Sequence, residues 1–231
     1  MAMRNSDPSL NSSTDAAAAR LAMVETQLRR RGVKSPYVLE AMSNVPRHEF
    51  VPTEFQSEAY ADKPLPIGEG QTISQPFMVG TMTEALELTG TERVMEIGTG
   101  SGYQAAVLSV LAREVITVEN HTSLALSAQE RLTDLGYTNV HVHIGDGSTG
   151  FPDAAPYDAI LVTAAAPEIP PVLAAQLREG GRLVIPVGSR ENQGLVQARK
   201  EGGVLKSRAL FDCRFVPLRG RYGWSIVPGT K

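Results

Sequence analysis

Three glycines at alternate positions, Gly98, Gly100 and Gly102, stand between the apolar run "RVM" and the helix-like "QAAVLSVLA". A strand that turns through glycines straight into a helix commits the chain to a βαβ arrangement, with a crevice where the turn leaves the sheet. The flanking sequence agrees. From residue 90 onward the runs "RVMEIG", "EVITVEN", "NVHVHIG", "YDAILVTAA" and "GRLVIPVG" alternate with helical patterns near 103–112, 122–135 and 169–178. Such alternation predicts right-handed crossovers and a parallel sheet covered on both faces. After Gly188 the helical pattern stops, and "GLVQARKEG" and "LKSRALFDCRFVPL" predict two antiparallel strands completing one edge.

The N-terminal part follows another pattern. Residues 1–13 are small and polar and predict a disordered tail. Thr14 or Asp15 then caps a helix whose Leu21, Val24 and Leu28 recur at three- and four-residue steps up to Gly32. A second helix, "SPYVLEAMSNVP", has Ser35 as its cap and is closed by Pro46. "DKPLPIGEGQTIS" (62–74) is rich in proline and glycine and predicts an irregular loop, followed by a helix, "QPFMVGTMTEALEL", that runs to Gly90. There is no repeat and no linker-like shift in composition. The expected organisation is therefore one α/β domain over 14–231, doubly wound with a mostly parallel sheet. A helical cap covers 14–60, a loop 61–74, the core 75–190 and antiparallel edge strands 191–231. With 231 residues, 42% of them hydrophobic, the chain can bury a substantial core.

Charge and cysteine content narrow the function classes. A net charge of −3 and a pI of 5.9 supply no global positive field to draw the protein to nucleic acid or an anionic membrane. No stretch approaches the apolar length of a membrane span, and the N-terminus lacks the apolar centre of a signal peptide, so a reducing cytoplasm is the expected location. A monomer is expected. Arg29–Arg31, the longest basic run, suits the C-terminal end of a helix. The single cysteine, Cys213, excludes an internal disulfide and any multi-cysteine metal site, and is expected as a buried thiol far from the crevice. His141 and His143 share a strand face without a third ligand nearby, so no metal is expected.

The glycine spacing departs from the dinucleotide fingerprint G-x-G-x-x-G. Counting from Gly98, the third glycine is Gly102, one position early, and Tyr103 stands where the fingerprint needs glycine for close helix packing. Acidic residues flank the turn instead. Glu119 ends the second strand of the core, 21 residues beyond Gly98, and can accept both hydroxyls of an unphosphorylated ribose. Glu96 is expected to face the place where a pyrophosphate would lie, repelling phosphate and attracting a cationic ligand. Asp146 in "IGDG" ends the third strand and can receive the exocyclic amine of an adenine. Each acid has an ordinary alternative as a helix N-cap or a solvated loop residue. Together at neighbouring strand tips they favour a ribose-bearing, cationic cofactor without phosphates: S-adenosylmethionine.

"VMEIGTGSGY" resembles the glycine motif of class I S-adenosylmethionine-dependent methyltransferases. The wider set "GQTISQPFMVG", "IGDG", "PYDAILVTAAAPEIP", "LREGGRLVIPVG" and "RFVPL" resembles the protein-L-isoaspartate O-methyltransferase family, over about Met23 to Leu218. The resemblance implies a Rossmann-like methyltransferase fold. It places the cofactor on Glu96, on Gly98, Thr99, Gly100 and Gly102, on Glu119 with Asn120, and on Asp146 with Gly147. Ser74 matches the serine assigned as the family's active-site residue, with Thr72 and Ile73 lining the methyl-transfer site. Phe77 stands where animal members have histidine, which points to a bacterial-type member.

The resemblance also implies repair of damaged proteins. The acceptor is the free carboxylate of an L-isoaspartyl residue; its methyl ester collapses to a succinimide that reopens partly as normal aspartate, while the cofactor leaves as S-adenosylhomocysteine. An acceptor already ionised at neutral pH needs no general base, and a dry site favours a step in which opposite charges cancel. Ser74 has two compatible readings: a cap of the helix beginning near Gln75, and a hydroxyl that orients the acceptor carboxylate. "RFVPL" (214–218) is a candidate wall for an extended peptide, or an ordinary edge strand stopped by Pro217. Two other functions fit the same sequence less well. A class I methyltransferase acting on a small molecule or RNA lacks a basic, aromatic-interleaved strip for the latter. A non-catalytic binding module would not need the intact set of glycines and acids.

Overall fold

The structure, a computed structural model, describes residues 8–224. Two short strands, β1 (Leu65–Gly68) and β2 (Gln71–Ile73), form an antiparallel hairpin. Seven more build one sheet: β3 (Arg93–Ile97), β4 (Glu114–Glu119), β5 (Val140–Ile144), β6 (Tyr157–Val162), β7 (Leu177–Gly188), β8 (Gln193–Glu201) and β9 (Val204–Cys213), in the order β5-β4-β3-β6-β7-β8-β9. Strands β3 to β7 run parallel, and β8 and β9 are antiparallel, as the sequence predicts. The helices are α1 (Pro8–Met23), α2 (Pro36–Asn44), α3 (Pro76–Ala85), α4 (Tyr103–Ser109), α5 (Thr122–Asp134) and α6 (Pro171–Gln176).

Period-two side-chain alternation splits the core between the two faces of the sheet. Val94, Val115, Leu161 and Val184 pack with Met82 of α3 and Leu108 of α4, while Met95, Ile116, Ile160 and Leu183 pack with Leu173 of α6. The cap closes onto the first face through Leu28, Met42 and Phe50, which meet Tyr103 and Ala106 of α4. From β3 the chain steps outward through β4 and β5, then returns to the other side for β6 and β7. The strand order therefore reverses between β3 and β6, and a crevice opens at their carboxyl tips.

Four expectations need correction. First, α1 has already begun at Pro8, so residues 8–13 are helical and Thr14 and Asp15 lie within it; residues 1–7 of the expected tail fall outside the described residues. The helical path does reach Gly32, through a wider π turn at Val24–Leu28 and a tight 3-10 turn at Arg29–Arg31. Second, the loop at 62–74 contains the β1–β2 hairpin. Glu69 and Gly70 at its tip both have positive φ, 52° and 69°, the conformation that lets a two-residue turn follow the twist of its strands.

Third, α3 stops at Ala85, short of Leu88. Its last carbonyls are taken by side chains: Gln197 Nε2 donates to Ala85 O at 2.6 Å and Arg182 Nε to Leu86 O at 2.7 Å. Satisfying those orphan acceptors from β7 and β8 removes the need for another helical turn. Fourth, "RFVPL" is not a continuation of the edge strand. Strand β9 ends at Cys213, where Phe215 N donates to the Gln193 side chain at 2.7 Å, and residues 214–218 cross back over the strand tips. There Val216 O accepts from Ala165 N at 2.8 Å, and Leu218 N donates to Ala165 O at 2.7 Å. Among the described residues no helix is long and apolar enough to cross a membrane.

Candidate active site

The crevice floor is the glycine turn itself. Gly98 leaves β3 with φ 97°, and a Cβ there would stand 2.4 Å from Thr163 Oγ1, inside any tolerable contact. Only glycine allows both that backbone conformation and that approach. At Gly102 the chain turns into α4, whose packing against Ala128 and Leu132 of α5 also leaves little room. Arg47, fully buried in the cap, lays its guanidinium 4.9 Å from the centre of the Tyr103 ring, tying the cap to the first residue of α4.

Glu119, at the tip of β4, holds the turn in shape. Its Oε2 accepts from Gly100 N and its Oε1 from His121 N, both at 2.9 Å. A cavity opens directly beside it, lined by Gly98, Gly100, Glu119, Asn120 and Gly147, with Thr72 of the hairpin above. The hairpin roofs this cavity: Ile67 sits over Gly100, and Glu69 Oε1 accepts from Ser123 Oγ at 2.7 Å near the start of α5. Residues 216–219, from the crossing segment, form the far wall.

A second space adjoins the first. It is an open trough of about 620 Å³ whose walls include Ser74, Phe77, Met78, Phe211, Cys213 and Arg214. Thr72 and Thr163 line both spaces and also a narrow gap beside Ser74, Thr99, Tyr103 and Gln104. Of the residues expected at the site, the structure thus gathers Thr72, Ile73, Ser74, Gly98, Thr99, Gly100, Glu119, Asn120 and Gly147 around three adjoining spaces that share Thr72 and Thr163. The capping role open to Ser74 is not used: Gln75 is the N-cap of α3, with no side-chain cap, and among the described residues nothing pairs with the Ser74 hydroxyl.

Other expected residues lie elsewhere. Glu96 faces no cavity; it is fully buried within the sheet, paired in register with Thr117 and Leu161. Thr117 Oγ1 donates to its Oε2, and Thr99 Oγ1 lies 2.7 Å from Thr117 Oγ1. Burial, helped by the charge of Glu119, pushes the Glu96 carboxyl up to about 8 against the opposing Thr117 hydrogen bond. It cannot repel a phosphate from inside the sheet. Glu119 does so in its place, because its carboxylate already holds the Gly100 N–H that a phosphate-binding turn would aim at its anion.

Asp146 performs its ordinary alternative: Oδ1 caps a short turn by accepting from Ser148 N at 2.9 Å, and Oδ2 accepts from Arg221 N at 2.8 Å. It does not line the cavity; its neighbour Gly147 does, with so little space that a Cβ would lie 2.5 Å from Ile97 Cγ2. Cys213 is the opposite case, expected far away and found in the trough wall, half-buried. Burial and the nearby Asp212 push its thiol up to about 11, so it stays neutral. Among the described residues no three His, Cys, Asp or Glu side chains group as a metal site, and His143 stacks on Phe151 with ring centres 4.0 Å apart. Sequence reasoning missed Thr163, His121 and Arg219, whereas "RFVPL", a candidate wall from its sequence, does contribute Val216, Pro217 and Leu218 to the first space and Arg214, Phe215 and Val216 to the trough. The position of Thr163 immediately after an apolar strand was the signal available for it.

Comparison with known proteins agrees with this geometry. Residues 19–223 match the family described as protein-L-isoaspartate(D-aspartate) O-methyltransferase. A protein-L-isoaspartate O-methyltransferase of Koribacter versatilis is 53% identical, covering 92% of this chain and 96% of its own. One from Geobacter metallireducens is 56% identical over 89% and 96%. Among solved structures, a protein-L-isoaspartate O-methyltransferase superposes with a TM-score of 0.80 at 31% identity, over 90% of this chain and 67% of that one. A Plasmodium falciparum structure described under the same activity, in complex with S-adenosyl-L-homocysteine, gives 0.74 at 26% identity, over 87% and 98%. The chain belongs to the protein-L-isoaspartate(D-aspartate) O-methyltransferase family.

Proposed function

We propose that this protein transfers a methyl group from S-adenosylmethionine to the free carboxylate of L-isoaspartyl residues in damaged polypeptides. The observation that carries the reading is the neck at Thr72 and Thr163. There a cavity built around a buried strand-tip carboxylate and a glycine turn adjoins a peptide-sized trough holding a free serine hydroxyl.

The residues present fit the cofactor. Glu119 is 6% exposed, keeps unused lone pairs toward the cavity, and suits the two hydroxyls of a ribose. Asn120 and Gly147 flank the place of a base, and Thr72 and Ile73 lie toward the acceptor side. The cofactor supplies a sulfonium methyl; in transfer its C–S bond breaks with the electron pair kept by sulfur, while a carboxylate lone pair forms the new O–C bond and no proton moves. The protein's part is alignment and exclusion of water. Ser74 Oγ can donate its unclaimed proton to one carboxylate oxygen and leave the other to react. Phe77, Met78 and Phe211 give the trough an apolar wall that keeps that carboxylate poorly hydrated, and its open form accepts an extended backbone without selecting side chains. A cytoplasmic location belongs to the same reading, and among the described residues no helix is long and apolar enough to cross a membrane.

The test uses labelled S-adenosylmethionine with paired peptides that differ only in isoaspartate or aspartate. Base-labile label on the isoaspartyl peptide alone is the expected result; label on RNA or on both peptides would overturn the reading. Replacing Glu119 with Ala is expected to weaken cofactor binding by about 1–3 kcal/mol with acceptor KM unchanged.

A further inference from the structure

Thr163 is the first residue beyond β6, and with Thr72 it lines all three spaces of the active site. Its backbone N–H donates to Ile97 O at 2.9 Å, which fixes its place at the neck. Its hydroxyl lies 2.8 Å from Gly98 O and 3.0 Å from Ile97 O, so its single proton is committed to main-chain carbonyls of the glycine turn. What remains on Oγ1 for the cavity side is lone pairs. This oxygen can accept there, and cannot donate.

That property separates Thr163 from Ser74. A hydroxyl with a free proton suits a carboxylate; a hydroxyl whose proton is spent repels one. Of the two reactants of the proposed reaction, on which this inference rests, only the sulfonium side offers an electron-poor C–H group at the neck. We propose that Thr163 Oγ1 is the acceptor that orients the donor's methyl, distinguishing the charged methyl donor from its demethylated, neutral product at the neck of the site. The consequence is that S-adenosylmethionine gains at the neck the worth of one weak C–H···O contact that S-adenosylhomocysteine cannot make, whatever the rest of the site contributes to the two affinities.

The experiment measures the affinities of both ligands by calorimetry for the wild-type protein, Thr163→Val and Thr163→Ser. Valine keeps the shape and removes the oxygen; serine keeps the oxygen. The ratio of the two affinities is expected to shift roughly two- to fivefold toward S-adenosylhomocysteine in Thr163→Val and to return in Thr163→Ser. A hydroxyl that merely pins Gly98 would weaken both ligands equally, and an unchanged ratio overturns the inference while leaving the proposed function intact. A wild-type protein that binds neither ligand overturns both. Should the valine variant not fold, two readings remain. Thr163→Ser must keep the wild-type ratio, and S-adenosylmethionine labelled with 13C at its methyl must show its methyl proton signal moved downfield on binding the wild-type protein. An altered ratio or an unmoved signal overturns the inference.

Discussion

The donor cavity and the acceptor trough meet at two threonines and are made differently. The cavity is floored at consecutive strand tips, by Gly98 and Gly100 after β3, Asn120 after β4 and Gly147 after β5, with one carboxylate, Glu119, pinning the N–H groups of Gly100 and His121. The trough is walled by side chains far apart in sequence, from residues 31 and 64 through 74–78 to 211–216. Main chain at a strand tip has little freedom to differ, whereas a wall of side chains can be exchanged piece by piece. The donor side should therefore fail sharply on substitution, and the acceptor side should yield gradually.

The largest effect is expected at Gly98. Gly98→Ala drives a Cβ to 2.4 Å from Thr163 Oγ1 in a backbone conformation, φ 97°, that alanine resists. Strain and overpacking each cost roughly 1–3 kcal/mol, and where the turn relieves them by shifting away from its cofactor-binding shape, affinity should fall at least about thirtyfold. Titration by calorimetry checks it, with circular dichroism to confirm that the sheet remains. Affinity within threefold of wild type would break the contrast at its root.

Next comes Glu96, inside the sheet beneath the turn. Burial raises its folded-state pKa to about 8 from 4.5. A raised value favours the folded state while the group is protonated. The stability linked to it is complete below about pH 4.5 and is lost as pH rises toward 8, a change on the order of a few kcal/mol. Glu96→Gln should flatten that decline in denaturant midpoints of the ligand-free protein over the same window. Parallel profiles for the two proteins would mean that Glu96 ionises freely and faces water after all.

These two residues also mark how far the sequence could be read. The glycine turn was legible because three glycines before a helix have few physical reasons to exist, and the alternation of strands and helices left few topologies. Glu96 misled because an acid near the end of an apolar run looks like a strand-tip group, while the register shows the tip beginning two residues later. Asp146 stands one residue outside the cavity lining, its oxygens engaged by Ser148 and by Arg221, which lies 75 residues away in the chain. Thr163 carries no charge and so drew no notice. The hairpin was hidden because proline and glycine mark tight turns and irregular loops alike. The trough was legible only in part: "RFVPL" is a candidate wall from its sequence but equally strand-like in isolation, and only the amide of Gln193 and the main chain of Ala165 bend it over the site.

A smaller effect tests the acceptor side. Ser74→Ala removes a hydroxyl that caps nothing, so folding and cofactor affinity should stay within about threefold while kcat drops roughly tenfold to a hundredfold. Thermal melts and cofactor titration provide the two controls. A protein that melts much earlier would return Ser74 to a structural role, and an unchanged kcat would leave the trough without an orienting donor.

The smallest effect is expected at Cys213, and its smallness matters to the mechanism. The thiol sits in the trough wall, where a nucleophile would stand if acceptor and enzyme became covalently joined. Burial and Asp212 hold it at about 11, so at neutral pH the nucleophilic thiolate is scarce. An ionised carboxylate acceptor has no use for it. Cys213→Ser should leave kcat within about twofold, with the same flat response between pH 6 and 8, because serine is close in size and neither group reacts. A thiolate route predicts instead a rate rising about tenfold per pH unit below the thiol pKa and lost altogether in the serine protein. The pH profile of the two proteins side by side decides between a trough that only positions its peptide and one that attacks it.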